Sequence, residues 1–326
     1  MLFRSQDELK SSEELARLIA GELEILKIEL SAPDRVRLLK EAKAPGALNS
    51  RRLVSAAGMA GGGTFGAILF LISYLEIRAQ RINSLDDVEH KLGIKVVGTV
   101  PVVPRIMNGG QLQLESPRDQ LWRHQLIESV DTTRIMLMHA ARTESLRVVL
   151  VTSAVGGEGK TSLASHLATS LARSGLRTVL VDGDFRRSMV HRLYDQPLAP
   201  GFSELLRGEI GADEVVRPAT LNNLWLIPAG IYDDFSLSVL AQPRARNVFQ
   251  QLREQFDFVI LDSAPLLPVA DSLLLAQHAD AAVFSILKDV SQLPKIQSAY
   301  ERIRSLGVPI LGAVVSGTNV ETQYGY

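Results

Sequence analysis

The chain has 326 residues, 46% of them hydrophobic and 22% charged, a composition too apolar for a disordered polymer and suited to two compact units or one with appendages. Lys and Arg total 35 against 36 for Asp and Glu, so neither a charge excess nor a charged block argues for nucleic acid. There is no cysteine, which excludes disulfides, thiolate metal sites and cysteine nucleophiles together.

Near the N-terminus, Ser11-Ser12-Glu13-Glu14 has the form of a capping box. Leu15, Leu18, Ile19, Leu23, Leu26 and Leu30 then return at helical spacing until Pro33, which predicts an amphipathic packing helix without chemistry of its own. A second short helix is expected over 34–44. Residues 53–75 follow, 23 residues without a charge, set between Arg51, Arg52 and Glu76, Arg78. As a helix this stretch is about 34 Å long, enough for the ~30 Å hydrocarbon core of a bilayer. The 52 residues before it argue against a secretory signal. Gly58, Gly62 and Gly66 share one face of it, a spacing that lets two membrane helices approach. After the span, Gly93-Ile-Lys-Val-Val-Gly-Thr-Val-Pro101 and the Gly- and Pro-punctuated run to Pro117 read as a linker.

From 119 to 141 apolar residues recur at helical spacing. Short aliphatic segments then alternate with helical ones at 146–152, 177–182, 223–228, 257–262, 281–287 and 310–315. Nearly continuous apolar runs of this length are what parallel strands covered on both faces require, so an open α/β sheet is expected. The first strand runs into Ala154-Val-Gly-Gly-Glu-Gly-Lys-Thr161 and then a helix, the context of a phosphate-binding loop, with Ala154 at the usual first glycine. Gly156, Gly157, Glu158, Gly159, Lys160, Thr161 and Ser162 are the candidate binding residues. Backbone N–H groups and the helix start cradle phosphate, Lys160 reaches the β and γ phosphates, and the Thr161 hydroxyl holds Mg²⁺. The second strand ends in Asp182-Gly-Asp184-Phe-Arg186-Arg187, two carboxylates able to meet a metal–phosphate cluster or to mark a turn. The fourth closes on Asp262-Ser-Ala-Pro265, a carboxylate placed as Mg²⁺ needs. No Asn-Lys-x-Asp run argues for guanine, and the histidines show no metal-ligand spacing.

Together the phosphate loop and the two Asp-containing motifs resemble the bacterial tyrosine kinases that control capsule and exopolysaccharide export, within the wider MinD/ParA group of deviant P-loop ATPases. The resemblance extends to Ala42-Lys-Ala-Pro45, the single span and Leu92 to Pro101, which look like the end of a chain-length regulator, and to Gly201-Phe-Ser-Glu-Leu-Leu-Arg-Gly208 and Leu311-Gly-Ala-Val-Val315. It implies a P-loop NTPase with a mainly parallel sheet: 1–50 a helical stub, 51–76 a transmembrane helix, 77–118 a juxtamembrane linker and 119–326 the kinase domain. It implies ATP and Mg²⁺ as cofactors, with Thr161, Asp184 and Asp262 on the metal, and Lys160, Asp182, Asp184 and Asp262 as catalytic groups. Tyr324 and Tyr326 are the implied phosphate acceptors. Implied partners are further copies of the chain and membrane proteins of polysaccharide polymerisation and export, with no nucleic acid.

Six Lys or Arg in 33–52 against four in 76–95 lean towards a cytoplasmic N-terminus. A kinase domain that must meet cytosolic ATP argues for the reverse orientation in the inner membrane, and that argument is given precedence. Val155 stands where MinD and ParA switches carry a lysine that reaches a partner's phosphates, which favours the kinase over an ATPase switch or a non-catalytic regulator. The family's oligomerisation helix carries Glu-x-x-Arg-x-x-Arg. Here the nearest run is Glu128, Asp131, Arg134, so Asp131 is expected to repel an acidic groove on another copy.

Overall fold

A computed structural model describes residues 2–31, 50–101 and 117–318. Two units are distinguished, Met1–Phe70 and Leu71–Tyr326. The expected 34–44 helix and both acceptor tyrosines, Tyr324 and Tyr326, lie outside the described residues.

In the first unit, α1 (Leu2–Ser31) starts well before the expected capping box, which falls in its interior. The apolar residues from Leu15 to Leu30, Leu23 among them, are exposed. The helix α2 (Ser50–Ala79) contains the uncharged stretch, and Val54–Glu76 is long and apolar enough to cross a membrane with none of it buried. An uncharged helix exposed all round is stable where hydrocarbon replaces water.

The second unit holds, after a one-turn π-helix (Asp87–Lys91), β1 (Val96–Pro101), α3 (Pro117–Glu144), β2 (Val148–Thr152), α4 (Lys160–Arg173) and β3 (Thr178–Gly183). Then come α5 (Val190–Leu193), α6 (Phe202–Arg207), α7 (Ala212–Val215), β4 (Arg217–Pro218), β5 (Leu224–Ile227), α8 (Asp234–Leu240) and α9 (Pro243–Gln255). The chain continues through β6 (Phe258–Ser263), α10 (Asp271–Ala276), β7 (Ala281–Leu287), α11 (Leu293–Ser305) and β8 (Ile310–Thr318). The strands form one sheet in the order β1-β8-β7-β2-β6-β3-β5-β4, parallel throughout except for β4 against β5. The expected α/β architecture is therefore present.

Alternation along the strands divides the core in two. Val149, Val151, Leu180 and Ile260 pack under α3 and α4, with Leu163, Leu167 and Leu171 of α4. Val148, Leu150, Val181 and Leu261 face the other way, against Phe249 and Leu252 of α9 and Ile296 and Ile303 of α11. Burial on both faces explains why these strands read as unbroken apolar runs.

One expectation is corrected. The described part of the stretch read as a linker, up to Pro101, packs into the second unit: β1 pairs in parallel with β8, and Ile82 and Val88 are fully buried. Just after α2, Ile82 exchanges backbone hydrogen bonds with the turn beyond β7, its N–H donating to Ser291 O and its carbonyl accepting from Asp289 N. Val96, Val97, Thr99 and Val100 carry the β-branched residues a strand needs, but the partner lies more than two hundred residues away, and glycine and proline punctuation masks the pattern. At Gly98, β1 meets α3 so closely that a Cβ would lie 1.9 Å from Thr133 Oγ1. Gly98→Ala is expected to destabilise the chain by about 1–3 kcal/mol through overpacking, with Thr133→Ala recovering much of the loss. Urea unfolding of the full chain in detergent reads both, and a neutral Gly98→Ala would show that β1 does not need this contact.

Candidate functional site

The site forms at the carboxyl ends of the central strands, and the strand order makes it. Because β6 lies between β2 and β3, Asp262 is in register with Val151 on one side and Asp182 on the other. Ile260 and Leu180, two residues earlier, face α4, so both carboxylates point to the side where α4 begins.

The loop between β2 and α4 turns at Gly157 and Gly159, whose φ values of 86° and 82° suit glycine and strain other residues. Gly159 is the N-cap, and the first helical bond runs from Leu163 N to Gly159 O at 2.9 Å. No acidic side chain occupies the first turn of α4, so its free N–H groups and positive end are open to an anion. Lys160 Nζ donates to Asp184 Oδ2 at 2.7 Å, with the two side chains 13% and 3% exposed. The other oxygen of Asp184 accepts the Arg187 N–H at 3.0 Å. A cleft of about 490 Å³ runs over the loop, lined by Gly156, Gly157, Lys160, Thr161 and Asp184 and closed on the far side by Ala264 and Pro265.

The three aspartates differ. Asp184 lines the cleft, whereas Asp182 and Asp262 are fully buried beneath it. Asp182 is consumed by the backbone: one oxygen accepts from Asp184 N, the other from Met189 N and Val190 N at 3.1 and 3.0 Å, which holds the start of α5. Burial first, and then the charge of Asp262, raises its pKa to about 7. Neither oxygen of Asp262 accepts a well-formed hydrogen bond from the described residues, although the Thr161 hydroxyl is near enough to favour its charged form. Burial raises its pKa to about 6, only partly offset by the Lys160 charge and the adjoining Thr161 hydroxyl. A buried carboxylate without a well-formed hydrogen bond is costly, and a cation would relieve the cost. No group of three or more His, Asp or Glu with ligating geometry occurs among the described residues. A buried carboxylate beside a threonine hydroxyl fits Mg²⁺, which takes one or two carboxylates and draws its other ligands from phosphate and water.

Glu158, a candidate by its place in the loop, turns its side chain away from the cleft. It is fully buried, with Oε2 accepting Val155 N at 2.8 Å and Oε1 accepting Ser291 Oγ at 2.6 Å, while Ser285 Oγ donates to its carbonyl. Burial raises its pKa despite these bonds. Only the backbone of Glu158 faces the phosphate role. A bridge of this kind joins residues 133 positions apart, and no local sequence signal announces it. Ser162 is exposed on the first turn of α4.

Residues 146–304 match the family model for an AAA domain. The chain is 27% identical over 252 residues to the putative tyrosine-protein kinase EpsB of Ralstonia solanacearum, covering 75% of this chain and 34% of that one. It is 28% identical over 184 residues to the tyrosine-protein kinase CpsD of Streptococcus pneumoniae, covering 56% and 81%. In structure it is similar to the BceF tyrosine kinase domain, with 26% identity and a TM-score of 0.62 over 73% of this chain and 99% of that domain. The chain thus spans about a third of the length of EpsB. Its second unit has bacterial tyrosine-protein kinases as relatives in sequence and fold.

The raised pKa of Asp262 gives a signed expectation. A group whose folded value lies above its unfolded value of 3.8 adds no cost at low pH, where both states are protonated. The cost grows as pH rises to about 6 and stays above it. Asp262→Asn should therefore leave stability near pH 3 unchanged and raise it by about 2–3 kcal/mol near pH 8 without nucleotide or Mg²⁺. Urea unfolding at the two pH values checks this, and equal stability of variant and parent near pH 8 would contradict it.

Proposed function

We propose that this chain, a relative of the bacterial tyrosine-protein kinases, is a membrane-anchored, ATP-dependent protein-tyrosine autokinase that regulates polysaccharide assembly. The observation that carries the reading is the buried Asp262 carboxylate, which accepts no well-formed hydrogen bond and lies beside Lys160 and Thr161 at the mouth of the Gly-rich loop. Relatives named tyrosine-protein kinase support the choice of acceptor, and a helix long and apolar enough to span a bilayer, Val54–Glu76, supports the anchor. In this reading the anchor crosses the inner membrane once and the kinase unit is cytoplasmic. Its partners are other copies of the chain and membrane proteins of polysaccharide export.

Phosphoryl transfer asks mainly for positioning and charge neutralisation. The N–H groups of the loop and the start of α4 hold the phosphates, and Lys160, kept in place by Asp184, brings a positive charge to the terminal ones. Thr161 and Asp262 are the residues that would hold Mg²⁺, with Asp184 the third candidate; the ion would supply further neutralisation of phosphate charge. Asp184 lines the cleft and Asp182 and Asp262 do not, so Asp184 is the carboxylate placed to take the proton of an acceptor hydroxyl. Asp182 acts by positioning: its bonds to Asp184 N, Met189 N and Val190 N fix the turn that carries Asp184.

Incubation of the purified chain with ATP and Mg²⁺, followed by mass spectrometry, is expected to find phosphate on Tyr324, Tyr326 or both. Lys160→Met is expected to lower phosphorylation and hydrolysis together by at least about 10²-fold, because it leaves transition-state charge uncompensated. Steady hydrolysis without phosphotyrosine would sink the kinase reading in favour of an ATPase switch. Failure to bind nucleotide would leave a non-catalytic regulator.

A further inference from the structure

Two arginines follow Asp184, and the fold gives them opposite situations. Both line the cleft over the loop, but the guanidinium of Arg186 is committed to the protein. Its Nε donates to Asp271 Oδ2 at 2.8 Å, and its guanidinium lies 5.8 Å from the centre of the Tyr232 ring. Arg187 is not committed in this way. Its side chain is exposed, forms no ion pair among the described residues, and lines the same cleft as Lys160 and Thr161. One of its terminal nitrogens lies 4.0 Å from the point where a side chain on Gly156 would begin.

The root of this arginine is fixed relative to the lysine. One oxygen of Asp184 accepts Lys160 Nζ and the other accepts the Arg187 N–H. A single carboxylate therefore holds the lysine's ammonium and the backbone from which Arg187 extends, at the end of the loop that the lysine marks as the β and γ phosphate end. Among the loop's own side chains from Ala154 to Ser162, Lys160 is the one cation. Val155 offers an aliphatic side chain, and its N–H is taken by Glu158. A triphosphate brings one more negative phosphoryl group to this end than a diphosphate does, and a planar guanidinium fork matches phosphoryl oxygens better than a point charge.

We infer that Arg187 contacts the terminal phosphate and makes the cleft prefer a nucleoside triphosphate to a diphosphate, an assignment that rests on the ATP reading above. Arg187 supplies a second positive charge beside Lys160, the one cation among the loop's own side chains. Its role is discrimination at the γ position, and Arg186 takes no part in it.

Calorimetric titration of the full chain in detergent with Mg²⁺ plus β,γ-imido-ATP, and separately with Mg²⁺ plus ADP, tests this. Arg187→Ala should weaken the triphosphate analogue by roughly ten- to hundredfold and ADP by less than about threefold, the range expected for losing a hydrogen bond to a charged group. Arg187→Lys should fall between, since it keeps the charge and loses the fork. Alanine retains the N–H that Asp184 accepts, so the thermal unfolding of the variant should match that of the parent. Equal losses for both nucleotides, or an unchanged affinity for the triphosphate analogue, would overturn the inference. If the unaltered chain bound neither nucleotide, the ATP reading itself would fall first and this inference with it. That outcome appears before any variant is compared, so the two failures are distinct.

Discussion

The ion pair between Lys160 and Asp184 is the contact on which the arrangement of the site depends. A lysine largely removed from water at the end of a loop that opens a helix needs a counter-charge, and the carboxylate that supplies it must come from another strand. That requirement ties the loop after β2 to the turn after β3, although β6 separates the two strands in the sheet. The intervening strand is part of the solution. It delivers Asp262 between the two, in register with Asp182, so that three carboxylates and one ammonium gather within the ends of three adjacent strands. In the proposed reading an incoming phosphate would share the lysine with Asp184. The ammonium has three donors, so it can meet phosphate oxygens without abandoning the side chain that aims it.

A second constraint shapes the loop from beneath. Glu158 spends both side-chain oxygens inside the protein, one on Val155 N and one on Ser291 Oγ, and its carbonyl on Ser285 Oγ. The loop is thereby clamped to β7 and the turn beyond it, with the N–H of Val155 turned inward and those from Gly156 onward left for an anion. The same turn accepts Ile82 N through Ser291 O and reaches Ile82 O through Asp289 N. Two hydrogen bonds from Ser291 thus separate the phosphate loop from the segment that leaves α2. Ile82, fully buried, adds packing to that link.

How much of this the amino-acid sequence carried depends on the distance over which each feature is decided. Segments such as Val148 to Thr152 and Phe258 to Leu261 are legible because a strand covered on both faces needs a continuous apolar run, a purely local property. The strand–loop–helix context of Ala154 to Thr161 is legible for the same reason, since its glycines lie within eight positions and the chain turns at Gly157 and Gly159. The strand β1 was read as linker because its partner is β8, and Gly98, which looks like a breaker, is needed only because Thr133 approaches it. The capping box at Ser11 misled for the opposite reason: local chemistry suited a helix start, but α1 already runs through it from Leu2. Asp182 and Glu158 were recognised by position in a motif, yet what they hold, Val190 N in one case and Ser291 in the other, is set by tertiary contacts that no spacing encodes.

Asp131 shows how a residue read as a surface determinant can be spent on the fold. Placed where the resemblance has an arginine, it suggested repulsion between copies, but its carboxylate accepts the Ser170 hydroxyl and pairs with Arg173 at 3.5 Å, both on α4. Arg134, one turn further along α3, lies 3.8 Å from the same carboxylate. The charge is therefore largely answered within the chain, and its effect is to lock α3 onto the helix that begins at Lys160. That lock has a reason in the packing. β1 rests on α3 through the contact of Gly98 with Thr133, so α3 is the layer between the edge strand and the phosphate-loop helix. A lysine or arginine at 131 would leave Arg173 without its acid and set like charges against each other across the α3–α4 contact. The acid at this position follows from the basic residue it faces on α4, and any contact between copies along this helix must draw on exposed neighbours such as Glu128 and Ile135.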